Sequence, residues 1–142
     1  MSIRPNPTLP TAKILVVEDE PMVRELVSSQ LEDLGYEATV VASGAEALKQ
    51  LALDNSFNFD LLFTDVVMPG GLNGVELARR VRRAFGSDLK VLLTSSYPRE
   101  ALEEADLPNA GRLLLRKPYR IRDLEKAIEE ALAPHPWTAD VR

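Results

Sequence analysis

The sequence predicts an α/β fold in which helices cover both faces of a parallel β-sheet. Short apolar runs alternate with amphipathic helical patterns along the chain, and this alternation is typical of β-α-β units with parallel strands. Most of the runs are almost continuously apolar, as expected for strands buried on both faces. We expect the strands at residues 13–18, 37–41, 60–64, 90–95 and 112–116.

Length and composition favour a single soluble domain. A chain of 142 residues is long enough for one hydrophobic core. We predict this domain at residues 12–133, between a flexible proline-containing tail at 1–11 and a second tail at 134–142. The net charge of −5 argues against nucleic-acid binding, and the lack of cysteine excludes disulfides and thiolate metal sites. No apolar stretch is long enough for a membrane span, so a cytoplasmic location is expected.

The helices have recognisable start and stop residues. The first should begin at Pro21 and stop at Gly35, because proline favours the first helical position and glycine follows the last. Ser43 and Glu46 have capping-box spacing at the start of the second helix, and Asn73-Gly74 precedes the third. The first helix has Val23, Leu26, Val27, Leu31 and Leu34 on one face. The third has Leu77, Ala78, Val81 and Phe85 pointing inward, and the final helix carries Ile121, Leu124, Ile128 and Leu132.

Polar residues follow four of the predicted strands, at the carboxyl end of each. They are Glu18-Asp19, Asp65, Ser95-Ser96 and Lys117-Pro118. Ligands of open parallel sheets bind at this edge, because the strand ends and the helix starts converge there. Three carboxylates, a hydroxyl and a lysine at one edge predict a site for a divalent cation and a phosphoryl group.

The residue types indicate phosphoryl transfer to a carboxylate. Mg²⁺ prefers oxygen ligands, with Mn²⁺ as an alternative, and we expect Asp19 and Asp65 to bind it directly and Glu18 through a water. Asp65 is the natural nucleophile, since a carboxylate can form an acyl phosphate. Lys117 would neutralise charge on the transferred group. Whether the Lys117-Pro118 bond is cis stays open at this point.

These residues resemble the receiver domain of two-component response regulators over roughly residues 12–133. The motifs that carry the resemblance are Val17-Glu18-Asp19-Glu20-Pro21, Thr64-Asp65-Val66-Val67-Met68-Pro69, Leu93-Thr94-Ser95-Ser96 and Lys117-Pro118. The resemblance implies a flavodoxin-like fold, with a five-stranded parallel sheet in the order 2-1-3-4-5 and helices on both faces.

The resemblance also implies a role for each site residue. Asp65 would be the phosphoacceptor, and Lys117 would pair with the phosphoryl group. Asp19, Asp65 and the backbone carbonyl of Val67 would be metal ligands, with Glu18 as the outer acidic partner.

The hydroxyl that senses phosphorylation is assigned by alignment with the family. Ser95 occupies the position of the family's switch residue at the end of its strand, and Thr94 is the alternative. Val66 and the backbone N–H of Ser96 would bind the phosphoryl oxygens. The family often has an aromatic residue where this chain has Leu114, so rotation of an aromatic side chain there is not the expected readout.

The expected function is signalling rather than metabolic catalysis. The protein would catalyse only its own phosphorylation and dephosphorylation, with the phosphoryl group coming from a histidine kinase or a histidine phosphotransfer protein. It would then relay that group or contact a downstream protein through the helix predicted after Pro98, the fifth strand and the final helix. No DNA-binding output domain is expected, and the protein would be a monomer or weak dimer. It looks most similar to receivers of hybrid histidine kinases and single-domain response regulators.

Three other functions are compatible with an α/β sheet. A dehalogenase-like aspartyl phosphatase would need a second Asp where this chain has Val67. A nucleotide- or flavin-binding domain would need a glycine-rich loop in place of Glu18-Asp19-Glu20. A receiver fold that acts without phosphorylation would not need the intact set of Asp65, Ser95 and Lys117.

Overall fold

The computed structural model describes residues 11–54, 59–68, 72–85, 89–95 and 114–133. Its strands are β1 (Lys13–Val17), β2 (Glu37–Val41), β3 (Leu61–Asp65), β4 (Lys90–Ser95) and β5 (Leu114–Arg116). Its helices are α1 (Pro21–Asp33), α2 (Gly44–Asp54), α3 (Gly74–Phe85) and α4 (Ile121–Leu132). The helix predicted after Pro98, Ser96, residues 1–10 of the first tail and the whole second tail lie outside the described residues. None of the described helices is long and apolar enough to cross a bilayer.

All five strands are parallel and lie in the order β2-β1-β3-β4-β5. This is the predicted order, and it gives an α/β flavodoxin-like sheet with β3 in the middle. The chain reverses its direction of winding after β2, so the carboxyl ends of β1 and β3 lie side by side. Both ends carry acidic residues, and this adjacency positions the candidate site.

Alternating residues of the strands feed two hydrophobic layers, one on each face of the sheet. Ile14, Val16, Leu61, Phe63 and Leu92 pack with α1 and α4. On the other face, the strand residues that pack with α2 and α3 are Leu15, Val17, Leu62, Val91 and Leu93. Burying an aliphatic side chain of this size contributes about 1.5–3 kcal/mol, so the two layers hold the helices against the sheet.

The helix ends follow their sequence signals closely. Gly35 has a φ of 95°, and the N–H groups of Gly35 and Tyr36 donate to the carbonyls of Glu32 and Leu31 at 3.0 and 2.9 Å. This pair of bonds is a Schellman motif, which ends α1 as predicted. At the start of α2 the N–H of Glu46 donates to Ser43 Oγ at 3.1 Å. The Glu46 carboxylate accepts from the N–H of Ala42 at 3.0 Å, one residue before the partner expected in a capping box.

Two apolar residues of the predicted helical patterns are exposed. Leu26 is 56% exposed and Ile121 is 40% exposed. Val27 and Leu31, one turn apart, define the buried stripe of α1, and Leu26 lies a third of a turn away from it. Ile121 is the first residue of α4, a full turn before the first buried residue, Leu124. The prediction that Leu26 shares the apolar face of α1 was therefore wrong, because the buried stripe is narrower than the apolar pattern indicates.

Candidate metal and phosphoryl site

The carboxyl edge of the sheet brings Glu18, Asp19, Asp65 and Lys117 together. One carboxylate oxygen from each of the acidic residues lies within 4.8 Å of the others. Lys117 Nζ lies 2.8 Å from Asp65 Oδ2 and 3.8 Å from Glu18 Oε1. Residues separated by up to 99 positions in sequence thus form one cluster, as the strand-end pattern predicted.

The backbone of the sheet fixes where these side chains start. The N–H of Glu18 donates to the carbonyl of Val41 at 3.1 Å, and the N–H of Lys117 donates to the carbonyl of Ser95 at 3.0 Å. Asp65 is the last residue of β3 and is buried. The Lys117-Pro118 peptide bond is cis, which answers the question that the sequence left open.

The charges of the cluster favour a bound cation. Among the residues that the structure describes, three carboxylates face one ammonium group, so negative charge is in excess there. Burial raises the pKa of Glu18 above its usual value, although a hydrogen bond from the N–H of Glu20 and the charge of Lys117 both oppose this. A divalent cation would remove the excess charge, and carboxylate oxygens are the ligands that Mg²⁺ prefers.

Two hydroxyls end β4 on opposite sides of the strand. Thr94 is the register partner of Asp65, whereas Ser95 pairs with Arg116. Both are buried, and among the described residues Thr94 Oγ1 has no hydrogen-bond partner. The assignment of Ser95 as switch residue stays a prediction, with Thr94 in a position that makes it a direct competitor.

The segment after Asp65 holds two predicted site residues. The N–H of Val66 donates to the carbonyl of Thr94 at 2.9 Å. A phosphoryl contact from this N–H would therefore require the bond between β3 and β4 to break. Val67 is 46% exposed. Its side chain offers no metal ligand, so a contact with the metal would have to come from its backbone carbonyl, and that contact remains a prediction.

Two further residues hold the site in place, and the sequence reasoning missed both. Arg24 Nη1 donates to the carbonyls of Glu18 and Asp19 at 2.9 and 3.2 Å. The N–H of Gly74 donates to the carbonyl of Val66 at 2.8 Å, and a Cβ at position 74 would collide with the Asp65 carbonyl. The available signals were an arginine one turn into the first helix and a glycine at the start of the third.

A doubly wound parallel sheet with this acidic cluster and lysine at its edge defines a class of signalling protein. The chain belongs to the response regulator receiver domain family, whose model matches residues 14–129. Receiver domains of this family interact with histidine kinases or phosphotransfer proteins, and they generally bind Mg²⁺.

Several known proteins are similar to this chain. The response regulator receiver protein CpdR of Brucella abortus is 36% identical over 121 residues, which cover 84% of this chain and 96% of CpdR. The transcriptional regulatory protein SphR of Synechococcus elongatus is 30% identical over 87% of this chain, which spans 50% of SphR.

Solved structures agree on the fold. A response regulator receiver domain protein from Clostridium thermocellum superposes with a TM-score of 0.75 at 27% identity, over 85% of this chain and 94% of that one. The chemotaxis protein CheY4 of Vibrio cholerae gives a TM-score of 0.73 at 27% identity, over 87% and 100% of the two chains.

Proposed function

We propose that this receiver domain is phosphorylated on Asp65 in an Mg²⁺-dependent reaction and acts as a two-component signalling switch or phosphoryl relay. The observation that carries the proposal is the convergence of Glu18, Asp19 and Asp65 within 4.8 Å, with Lys117 paired to Asp65. Phosphoryl transfer to a carboxylate requires three parts: a nucleophile, a set of cation-binding groups and a fixed positive charge.

Asp65 supplies the nucleophilic oxygen. Its carboxylate would attack the phosphorus of a phosphohistidine, forming an O–P bond while the P–N bond breaks and the electron pair stays on the histidine nitrogen. Asp65 ends a strand that is buried along its whole length, which holds its backbone in place, and Lys117 Nζ orients its carboxylate from 2.8 Å. Such positioning is a large part of catalysis when the transition state is loose.

Glu18 and Asp19 would hold the cation together with Asp65, with the carbonyl of Val67 as a further ligand. When bound, Mg²⁺ neutralises charge between the carboxylates and the incoming phosphoryl oxygens. Lys117 is paired with Asp65 Oδ2 before reaction. After transfer we expect its ammonium to move onto a phosphoryl oxygen, with the hydroxyl of Ser95 following.

The phosphoryl donor would be a histidine kinase or a histidine phosphotransfer protein in the cytoplasm. Phosphorylation adds charge and acceptor oxygens, which bias a two-state surface. That surface would include β5 and α4, adjacent to Lys117. The phosphoryl chemistry is the same for a stand-alone regulator and for a receiver of a hybrid histidine kinase.

Intact-mass spectrometry tests the proposal directly. The protein would be incubated with acetyl phosphate or phosphoramidate and Mg²⁺, and then with a purified histidine kinase. We expect a gain of one phosphoryl mass that is lost in EDTA and in Asp65→Asn. Asp60→Asn is the matched control, since Asp60 precedes the same strand at the opposite edge of the sheet and should be phosphorylated normally.

Each outcome has a distinct meaning. An adduct that persists in Asp65→Asn would move the phosphoacceptor to another residue. No adduct from any donor, while Mg²⁺ still binds, would make this an interaction module that works without phosphorylation.

A further inference from the structure

Arg24 is a charged side chain close to the acidic cluster that the phosphoacceptor chemistry does not use. It lies on the first full turn of α1 and is only partly exposed. Its Nη1 atom donates to two successive backbone carbonyls, those of Glu18 at 2.9 Å and of Asp19 at 3.2 Å. Both residues bear the carboxylates that would bind the cation.

The connection between β1 and α1 needs such a tie. The N-cap residue, Glu20, makes no side-chain capping bond within the described structure, and Pro21 follows it at the start of the helix. The backbone N–H of Arg24 makes the first helical bond, to the carbonyl of Glu20 at 2.9 Å. The arginine thus secures the connection through its main chain and its side chain together.

Holding the two carbonyls restrains the backbone from which the two carboxylates extend. A carbonyl and the side chain of the same residue diverge from one Cα, so a carbonyl held toward α1 limits where its side chain can point. The side chains of Glu18 and Asp19 reach the cluster with Asp65. A guanidinium group suits this task because it stays charged at all relevant pH values and presents its N–H groups in a rigid plane.

We propose that Arg24 is a positioning residue, which orients Glu18 and Asp19 for cation binding by holding their carbonyls. This inference rests on the proposed function, because it assigns Arg24 a part in the same cation site. Residues that orient metal ligands are worth about 10- to 100-fold in metal affinity in other proteins.

The test is a set of cation affinities measured in the absence of phosphoryl donor. Mn²⁺ would be titrated into the full chain while free Mn²⁺ is counted by electron paramagnetic resonance, and Mg²⁺ affinity would come from competition. The variants are Arg24→Gln, which removes the charge, and Arg24→Lys, which keeps it. Arg80→Gln is the matched control, because Arg80 is an exposed arginine on α3, on the other face of the sheet.

We expect Arg24→Gln to weaken Mn²⁺ and Mg²⁺ binding about 10-fold. Arg24→Lys should recover part of that loss, and Arg80→Gln should bind as the wild type does. At saturating Mg²⁺ the phosphorylation rate of Arg24→Gln should return to within a few-fold of the wild-type rate, since the side-chain bonds of Arg24 in the described structure go to the carbonyls of Glu18 and Asp19 and not to the phosphoacceptor.

Two results with folded variants would overturn the inference and leave the proposed function intact. One is a cation affinity of Arg24→Gln within twofold of the wild type, even if its melting temperature falls, because Arg24 would then only stabilise the fold. The other is equal weakening in Arg80→Gln, because the effect would then be one of overall charge. If Arg24→Gln does not fold, Arg24→Lys decides the question. Wild-type Mn²⁺ affinity and a normal melting temperature in Arg24→Lys would show that positioning of the ligands does not depend on the planar guanidinium group. Failure of the wild type itself to bind either cation would instead refute the proposed function.

Discussion

Replacing Gly74 with alanine should damage both the stability and the chemistry of this protein. A Cβ at this position would overlap the carbonyl oxygen of Asp65 and come within 3.0 Å of the Val66 Cα. Both are backbone atoms of the strand end that carries the phosphoacceptor, so neither can rotate away. Relief of the overlap requires α3 to move away from β3.

The cost can be assembled from two contributions. Forcing an extra carbon into a packed site costs about 1–3 kcal/mol. Moving α3 also weakens the bond from the Gly74 N–H to the Val66 carbonyl, which contributes about 1 kcal/mol. The sum, about 2–4 kcal/mol, corresponds to a fall of about 8–16 °C in Tm for a domain of this size.

Gly44→Ala is the matched control, because Gly44 also begins a helix. A Cβ there would lie 3.2 Å from the Cβ and Cδ2 of Leu72, and a leucine side chain can shift by a few tenths of an ångström. We expect a change of less than about 1 kcal/mol for Gly44→Ala. Urea unfolding followed by far-UV circular dichroism measures both values, and intact mass gives the phosphorylation rates.

The two alanine variants should also differ in chemistry. Because the overlap lies on the backbone of Asp65, any part of it that the movement of α3 does not relieve will shift the phosphoacceptor, so phosphorylation of Gly74→Ala should be slower than that of Gly44→Ala at a temperature where both are folded. Equal unfolding free energies and equal phosphorylation rates for the two variants would refute the reasoning.

Three further substitutions test other parts of the structure. Leu124→Ala, at a fully buried position of α4, should cost about 2–5 kcal/mol in urea unfolding, and a loss below 1 kcal/mol would mean that α4 is not packed as described. Burial raises the pKa of Glu18, so this residue contributes most to stability when it is protonated, below the usual glutamate pKa, and the contribution is lost as pH rises. In EDTA, Glu18→Gln should therefore have a higher melting temperature than the wild type at pH 7 and a similar one at low pH. A difference in melting temperature that is the same at both pH values would contradict this. Burial, with the charges of Glu18 and Asp65, raises the pKa of Tyr119 to about 12, so stability should decline as pH rises from about 10 toward 12, and Tyr119→Phe should reduce this slope in alkaline urea titrations.

Much of the fold follows from local sequence patterns. Short apolar runs such as residues 61–63 of β3 are recognisable as parts of buried strands because parallel strands have no solvated face. Gly35 marks the end of α1 because only glycine adopts its positive φ readily. Burial at the edges of helices was less predictable: Leu26 and Ile121 are apolar, but whether each is covered depends on where neighbouring elements end.

The candidate site was predictable in its members but not in its supports. Asp65 and Lys117 stand at strand ends, and the rule for parallel sheets places such ends together. Arg24 and Gly74 act through backbone atoms of other residues, which leave no trace in residue type. The choice between Thr94 and Ser95 depends on strand register, since one step along β4 reverses the face to which a side chain points.

The sequence by itself determined the order of the described strands and helices, the three acidic residues and the lysine that meet at the carboxyl edge, and the family to which the chain belongs. These depend on periodicity and on motifs, which are properties of short segments. Only the tertiary structure decided the pairing of Lys117 with Asp65, the cis bond that follows Lys117, and the contacts that Arg24 and Gly74 make with the site. Those features depend on distances between segments far apart in the chain, and such distances exist only once the sheet has assembled and its two hydrophobic layers have closed over it.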